Sequence, residues 1–202
     1  MDNTIIEAIK ARRSVRAYSD KAIPVEIIEQ VLEAGRYAPS SLNTQPWKFA
    51  VITDKRLIAD LSAAIKNFMR GLLALLPVLR IFVSELRDEK MAGVLKKTVH
   101  GEGDTVFYSA PLLILIVSEK NGRWVRVNCA LAAENMMLAA HSLGLGSCFI
   151  GRTDVIKKSG FPIEKLGLDR GHSIEAALIM GYPKEPAAHV PERKRDNVIS
   201  WK

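Results

Sequence analysis

A chain of 202 residues with 48% hydrophobic and 25% charged side chains has the composition of one water-soluble domain with a sizeable core. Its net charge of +7 points to an anionic ligand or partner, but no zinc-finger, helix-turn-helix or aromatic RNA-binding motif accompanies it, which argues against nucleic acid. Two cysteines, Cys129 and Cys148, are too few for a four-thiolate zinc site or an iron–sulfur cluster, and in apolar surroundings they read as reduced thiols rather than a disulfide.

Thr4 is placed to cap a first helix, with Glu7 completing a capping box and Ile5, Ile6 and Ile9 forming its apolar face. Where that helix ends stands Arg12-Arg13-Ser14-Val15-Arg16. Cations at a helix end suit its dipole, so a solvated terminus is one reading. The other is a phosphate grip, because guanidinium forks bind phosphate oxygens in pairs and a serine hydroxyl fills a remaining position. Pro24 starts a second helix carrying Ile27, Ile28, Val31 and Leu32 and ending at Gly35. Residues 39–46 form a loop of small polar residues, and residues 47–53 read as a strand.

Asp54 caps a third helix, expected through about Ala64. Residues 65–100 are mostly helical but irregular. Pro111 opens residues 112–117, an apolar run typical of a strand buried on both faces. Residues 124–142 form a long helix apolar nearly all round, which belongs in a core or at a subunit interface. Within it Glu134 must be paired, and anchoring the helix to an interface is its expected role. A short strand over 147–150, short helices over 154–159 and 162–168, and a last strand over 174–180 complete the pattern. It implies a single α+β domain over 1–202, with a mixed central sheet wrapped by helices. Residues 72–83, the most apolar window, are too few to span a membrane and contain Pro77 and Arg80. The polar N-terminus lacks a signal core, so a cytoplasmic protein with no membrane association is expected. The four histidines show no metal-ligand spacing, and no metal is expected.

Four segments together resemble the nitroreductase family of flavin enzymes: Arg12 to Arg16 with Tyr18; Ala38-Pro39-Ser40-Ser41-Leu42-Asn43-Thr44-Gln45-Pro46-Trp47; Gly144 through Gly151; and Gly181-Tyr182-Pro183 followed by basic residues. Their order and spacing match over nearly the whole chain. The resemblance implies a nitroreductase-like fold with a mostly antiparallel sheet, an intertwined homodimer, and FMN in a cleft between subunits. Arg12 and Ser14 are then expected on the FMN phosphate, with Arg13 joining through its backbone or its guanidinium. Arg16 is expected at the ribityl chain or the N1/O2 edge of the ring. Pro39, Ser40, Ser41, Asn43 and Gln45 would approach the flavin from the partner subunit. Trp47 and Phe49 are expected in the core.

Cys148, Phe149, Ile150 and Gly151 would lie on the pyrimidine side, with backbone groups recognising the ring and Cys148 a bystander. Arg193 or Arg195, in an extended arm over 183–202, would clamp the phosphate, and Lys194 between them competes for that role. Residues 65–105 are the variable lid, where Leu72, Leu73, Leu75, Leu76, Phe82 and Met91 either line a pocket or simply pack. Lys96, Lys97 and His100 either face solvent or meet an anionic substrate or the phosphate of the nicotinamide cofactor. The implied activity is ping-pong hydride transfer from NADH or NADPH through FMN to a small electron-poor acceptor such as a nitroaromatic or quinone, with no side-chain acid or base. Rival readings are reductive dehalogenation or flavin fragmentation on the same fold, flavin storage or sensing, and plain anion or nucleic-acid binding.

Overall fold

The computed structural model describes residues 4–77, 89–119, 122–151, 153–185, 192–194 and 197–202. Its spine is β2 (Leu112–Ser118), whose seven residues are all buried, the pattern of a strand covered on both faces. It pairs antiparallel with β1 (Lys48–Ile52) on one side and β4 (Ser173–Gly181) on the other, and β3 (Gly146–Phe149) joins β4, giving the order β1-β2-β4-β3. The sequence suggests a mixed sheet. Among the described residues every ladder is antiparallel, and parallel pairing is confined to one isolated bridge between Ser14 and Ser147.

Side chains alternate along a strand, so β2 feeds two cores. Leu112, Ile114 and Ile116 pack with Val31 and Leu32 of α2 (Val25–Arg36) and with Ala133 and Met136 of α5 (Arg123–Ser142). Leu113, Leu115 and Val117 pack with Leu61 and Ile65 of α3 (Lys55–Ala74), Leu95 and Val99 of α4 (Glu89–His100), and Ile156 of α6 (Thr153–Lys158). Leu115 is fully buried at the centre of the second core. Leu115→Ala is expected to cost about 2–5 kcal/mol, read as a shift in the denaturant midpoint, through lost transfer energy and an unfilled cavity.

Two helix boundaries differ from expectation. Asp54 does cap α3, accepting from the amides of Arg56 and Leu57, but the helix continues to Ala74 rather than stopping near Ala64. Ile58, Leu61, Ile65 and Met69 keep one buried stripe in phase through that point. Thr4 is the first residue of α1 (Thr4–Ala11) rather than its cap, and Glu7 pairs with Lys10. Ile5, Ile6 and Ile9 do share a face of α1, yet all three are exposed. Trp47 is buried in the α2–α5 core with Phe49 packed against it. No helix among the described residues is long and apolar enough to cross a membrane.

Candidate functional site

Beyond α1 the chain runs alongside β3. The Val15 amide donates to the Ser147 carbonyl at 2.9 Å, fixing the basic segment against the strand. The Tyr18 hydroxyl donates to the Val15 carbonyl at 2.5 Å, and burial raises its pKa, so it stays a donor. Ser19 N donates to Tyr182 O at 2.8 Å and Lys184 N to Ala17 O at 3.1 Å. The first and fourth motifs are thus zipped together by backbone bonds.

The segment has a cavity near each end. The smaller, about 300 Å³, is lined by Arg12, Arg13, Val15, His141, Gly144 to Ser147 and Pro183. Two polar atoms in its wall, Arg12 Nε and Ser147 Oγ, are buried without a hydrogen-bond partner. Such orphans are uncommon and call for a missing partner. Glu134 holds a carboxylate oxygen 3.5 Å from Arg12 Nε, so its partner is the basic segment of its own chain. Arg13 turns its Nη1 onto the carbonyls of Lys10 (2.5 Å) and Arg12 (2.7 Å).

The larger cavity, about 460 Å³, is lined by Arg16, Cys148, Phe149, Ile150 and Gly151, and by Val94, Lys97, Thr98, Thr105, Val106 and Tyr108. Among the described residues no carboxylate is in this wall. Arg16 lies over the Tyr108 ring, 5.8 Å from its centroid, within cation–π range. Tyr108 and Ser109 have φ of 57° and 52°, a left-handed conformation costing side-chain-bearing residues on the order of 1–3 kcal/mol. Asp104 supports it. One carboxylate oxygen accepts from the amides of Val106 and Phe107 and from the Ser62 hydroxyl, and the other accepts from the Ser109 amide at 3.0 Å.

Cys148 is 1% exposed. Burial pushes its thiol pKa up, while the Arg16 charge, the Ser14 hydroxyl and the Arg12 charge pull the other way. Cys129 is pushed up to about 12 by burial, with Glu175 adding to it. Both thiols stay protonated and unreactive at neutral pH. Iodoacetamide is expected to modify neither in the native protein and both after denaturation, counted by intact mass. Cys148→Ser is expected to leave NAD(P)H oxidation within about threefold, a change in rate worth less than one neutral hydrogen bond.

The other expected positions lie elsewhere. Pro39, Ser40, Ser41, Asn43 and Gln45 line neither cavity of this chain. Their loop is internally braced: Gln45 N donates to Ser40 Oγ, Gln45 Nε2 to Asn43 Oδ1, and Ser41 N to Asn128 Oδ1. Leu42, at its tip, is 95% exposed. Arg193 and Lys194 are exposed, and Arg195 falls outside the described residues. Of the lid residues, Leu72 and Leu73 pack on the core, Leu76 is buried and Leu75 is exposed. None of the four lines either cavity, while Phe82 and the side chain of Met91 fall outside the described residues. Of Lys96, Lys97 and His100, only Lys97 lines a cavity. Ser147 lines the smaller cavity from within the Gly144–Gly151 motif, without having been assigned a contact of its own. Thr105 and Tyr108 line the larger cavity without having been singled out by sequence, and Tyr108 carried no signal. No group of three or more His, Cys, Asp or Glu among the described residues is arranged to hold a metal.

Known proteins are similar to this chain in sequence and fold. A nitroreductase from Bacteroides fragilis, crystallised with bound FMN, superposes with a TM-score of 0.77 at 30% identity, covering 99% of each chain. A Methanothermobacter thermautotrophicus protein with the provisional name NADH dehydrogenase/NAD(P)H nitroreductase is 28% identical, over 90% of this chain and 78% of its own. An iodotyrosine deiodinase from Thermotoga neapolitana is also 28% identical, over 96% and 95%. The profile of the Nitroreductase family matches residues 9–182, which takes in the basic segment, the four strands and every described lining residue of the two cavities except Pro183. The chain belongs to the nitroreductase family.

Proposed function

We propose that this protein is an FMN-dependent oxidoreductase that takes electrons from NADH or NADPH and passes them to a small electron-poor acceptor. The observation that carries the reading is the basic segment with a cavity at each end, neither lined by a carboxylate among the described residues, the nearest to Arg12 being Glu134 at 3.5 Å. The chain's groups fit FMN. The orphaned Arg12 Nε and Ser147 Oγ suit the phosphate end. The wider cavity, with the Phe149–Gly151 backbone and Arg16, suits the ring. The chemistry FMN supplies when bound is two-electron transfer between the nicotinamide donor and an acceptor such as a nitroaromatic or quinone.

In this reading Arg12, Arg13 and Ser14 hold the phosphate, joined from the tail by Arg193 or Arg195. Arg16 places a fixed positive charge at the N1/O2 edge, where reduction builds negative charge, and so favours the reduced state. Cys148, Phe149, Ile150 and Gly151 contact the pyrimidine side. Pro39, Ser40, Ser41, Asn43 and Gln45 serve the flavin of the partner subunit in a homodimer. An exposed apolar surface supports the dimer: Ile5, Ile6 and Ile9 on α1, with Trp124, Val127 and Leu131 one helical face along α5. Two free buried thiols fit a reducing, cytoplasmic setting.

Donor and acceptor using one space in turn predicts ping-pong kinetics. Initial rates against NAD(P)H at several concentrations of a nitroaromatic are expected to give parallel double-reciprocal lines. Intersecting lines would mean that both substrates bind together, and no turnover with flavin bound would favour storage or sensing.

A further inference from the structure

The larger cavity contains a cation that the flavin reading does not use. Lys97 projects from α4 into its wall, together with Val94 and Thr98 of the same helix face. Among the described residues its ammonium has no ion-pair or hydrogen-bond partner, and no carboxylate shares the wall. Around it are apolar surfaces from Val94, Val106 and Phe149 and the ring of Tyr108. Lys96 and His100, close by on the same helix, line neither this cavity nor the smaller one. A flat apolar slot with one unmatched positive charge is complementary to an aromatic molecule carrying one negative charge. The Thr105 hydroxyl donates to the Thr98 carbonyl at 2.6 Å, which fixes this part of the wall.

We infer that Lys97 selects anionic electron acceptors: a nitroaromatic or quinone bearing a carboxylate or sulfonate pairs that group with the ammonium while its ring lies in the cavity. The inference rests on the oxidoreductase reading above. It assigns to Lys97 specificity rather than chemistry, because the pairing group is remote from the reducible one. The same charge would also suit a second anion source, the 2′-phosphate of NADPH, and the test separates the two.

The measurement is kcat/KM of the FMN-loaded protein for 4-nitrobenzoate and for neutral 4-nitrobenzamide, at saturating NADH. The natural protein is expected to prefer the carboxylate by about tenfold, the size of one charge-assisted contact. Added salt is expected to narrow the gap. Lys97→Met is expected to bring the ratio to about one, through KM for the benzoate. Lys97→Arg should restore most of it, and Lys96→Met should leave it as in the natural protein. Equal use of the two acceptors by the natural protein, or a preference that survives Lys97→Met, overturns the inference and leaves the oxidoreductase reading intact. A Lys97→Met defect confined to KM for NADPH assigns the charge to the donor and likewise overturns it. Flavin bound but neither acceptor reduced overturns both.

Discussion

Arg12→Ala is expected to weaken FMN binding by about 1.5–3 kcal/mol, roughly ten- to hundredfold in Kd. In the proposed function its guanidinium anchors the FMN phosphate. One nitrogen, Nε, is buried, lacks a hydrogen-bond partner and faces the Glu134 carboxylate at 3.5 Å. The rest of the fork belongs to a cavity that also contains Arg13 and the orphaned Ser147 hydroxyl. On that reading, removing the fork deletes its charge-assisted contact to phosphate and leaves Glu134, about half exposed, without its cationic partner. Arg12→Lys should recover only part of the loss, because a single ammonium cannot bond the carboxylate and the phosphate as a planar fork does. Fluorescence titration of the flavin-free protein with FMN measures both variants. An unchanged Kd in Arg12→Ala would remove Arg12 from the phosphate grip.

Gly146→Ala is expected to lower stability and flavin affinity together. A methyl group at Gly146 would stand 2.7 Å from Val15 Cβ and 2.7 and 2.8 Å from its two methyl carbons. Real side chains do not approach so closely, and Val15 is β-branched and stiff, so the backbone must give. The segment that would move is the one carrying Arg12, Ser14 and Arg16, held to β3 by the Val15–Ser147 bond. Overpacking of this kind costs about 1–3 kcal/mol, or roughly 2–4 °C in Tm per kcal/mol for a chain of this size. Gly71→Ala is the control. A Cβ there meets nothing within 4 Å and the site is helical, so a gain of about 0.5–1 kcal/mol is expected. Thermal melts of both variants, with and without FMN, test the pair. A Gly146→Ala protein that melts like the natural one and binds FMN normally would show that the contact relaxes freely.

The sequence announces the parts of the fold whose signal is local. β2 is a continuous apolar run, α2 has a proline before it and a stripe along it, and Asp54 is a cap with its helix following. Where α3 ends is not local information: nothing between Ala64 and Ala74 breaks a helix, and the stripe from Ile58 to Met69 decides it by packing. The motif residues from Arg12 to Arg16 and Cys148 to Gly151 meet because the parallel bridge at Ser14 and Ser147 brings them side by side. No spacing rule encodes that bridge. Tyr108 enters the cavity wall through a left-handed backbone that Asp104 holds with four hydrogen bonds. Tyrosine is a poor predictor of such a conformation, and the stabilising contacts are formed only in the folded turn. Lys97 differs from Lys96 by one residue, and the phase of α4 against the core puts Lys97 and not Lys96 in the cavity wall.

The exposed apolar residues of α1 and α5 were legible as a pattern but not as a surface. A stripe such as Ile5, Ile6 and Ile9 reads the same whether it meets its own core or a second chain.

The most direct test of the central claim is the visible absorption spectrum of the purified protein, loaded with FMN, before and after anaerobic addition of NADH or NADPH. The account predicts a bound flavin band that bleaches within turnover time and returns when a nitroaromatic or quinone is added. A protein that takes up no FMN at all would contradict it, and so would bound flavin that neither nicotinamide reduces.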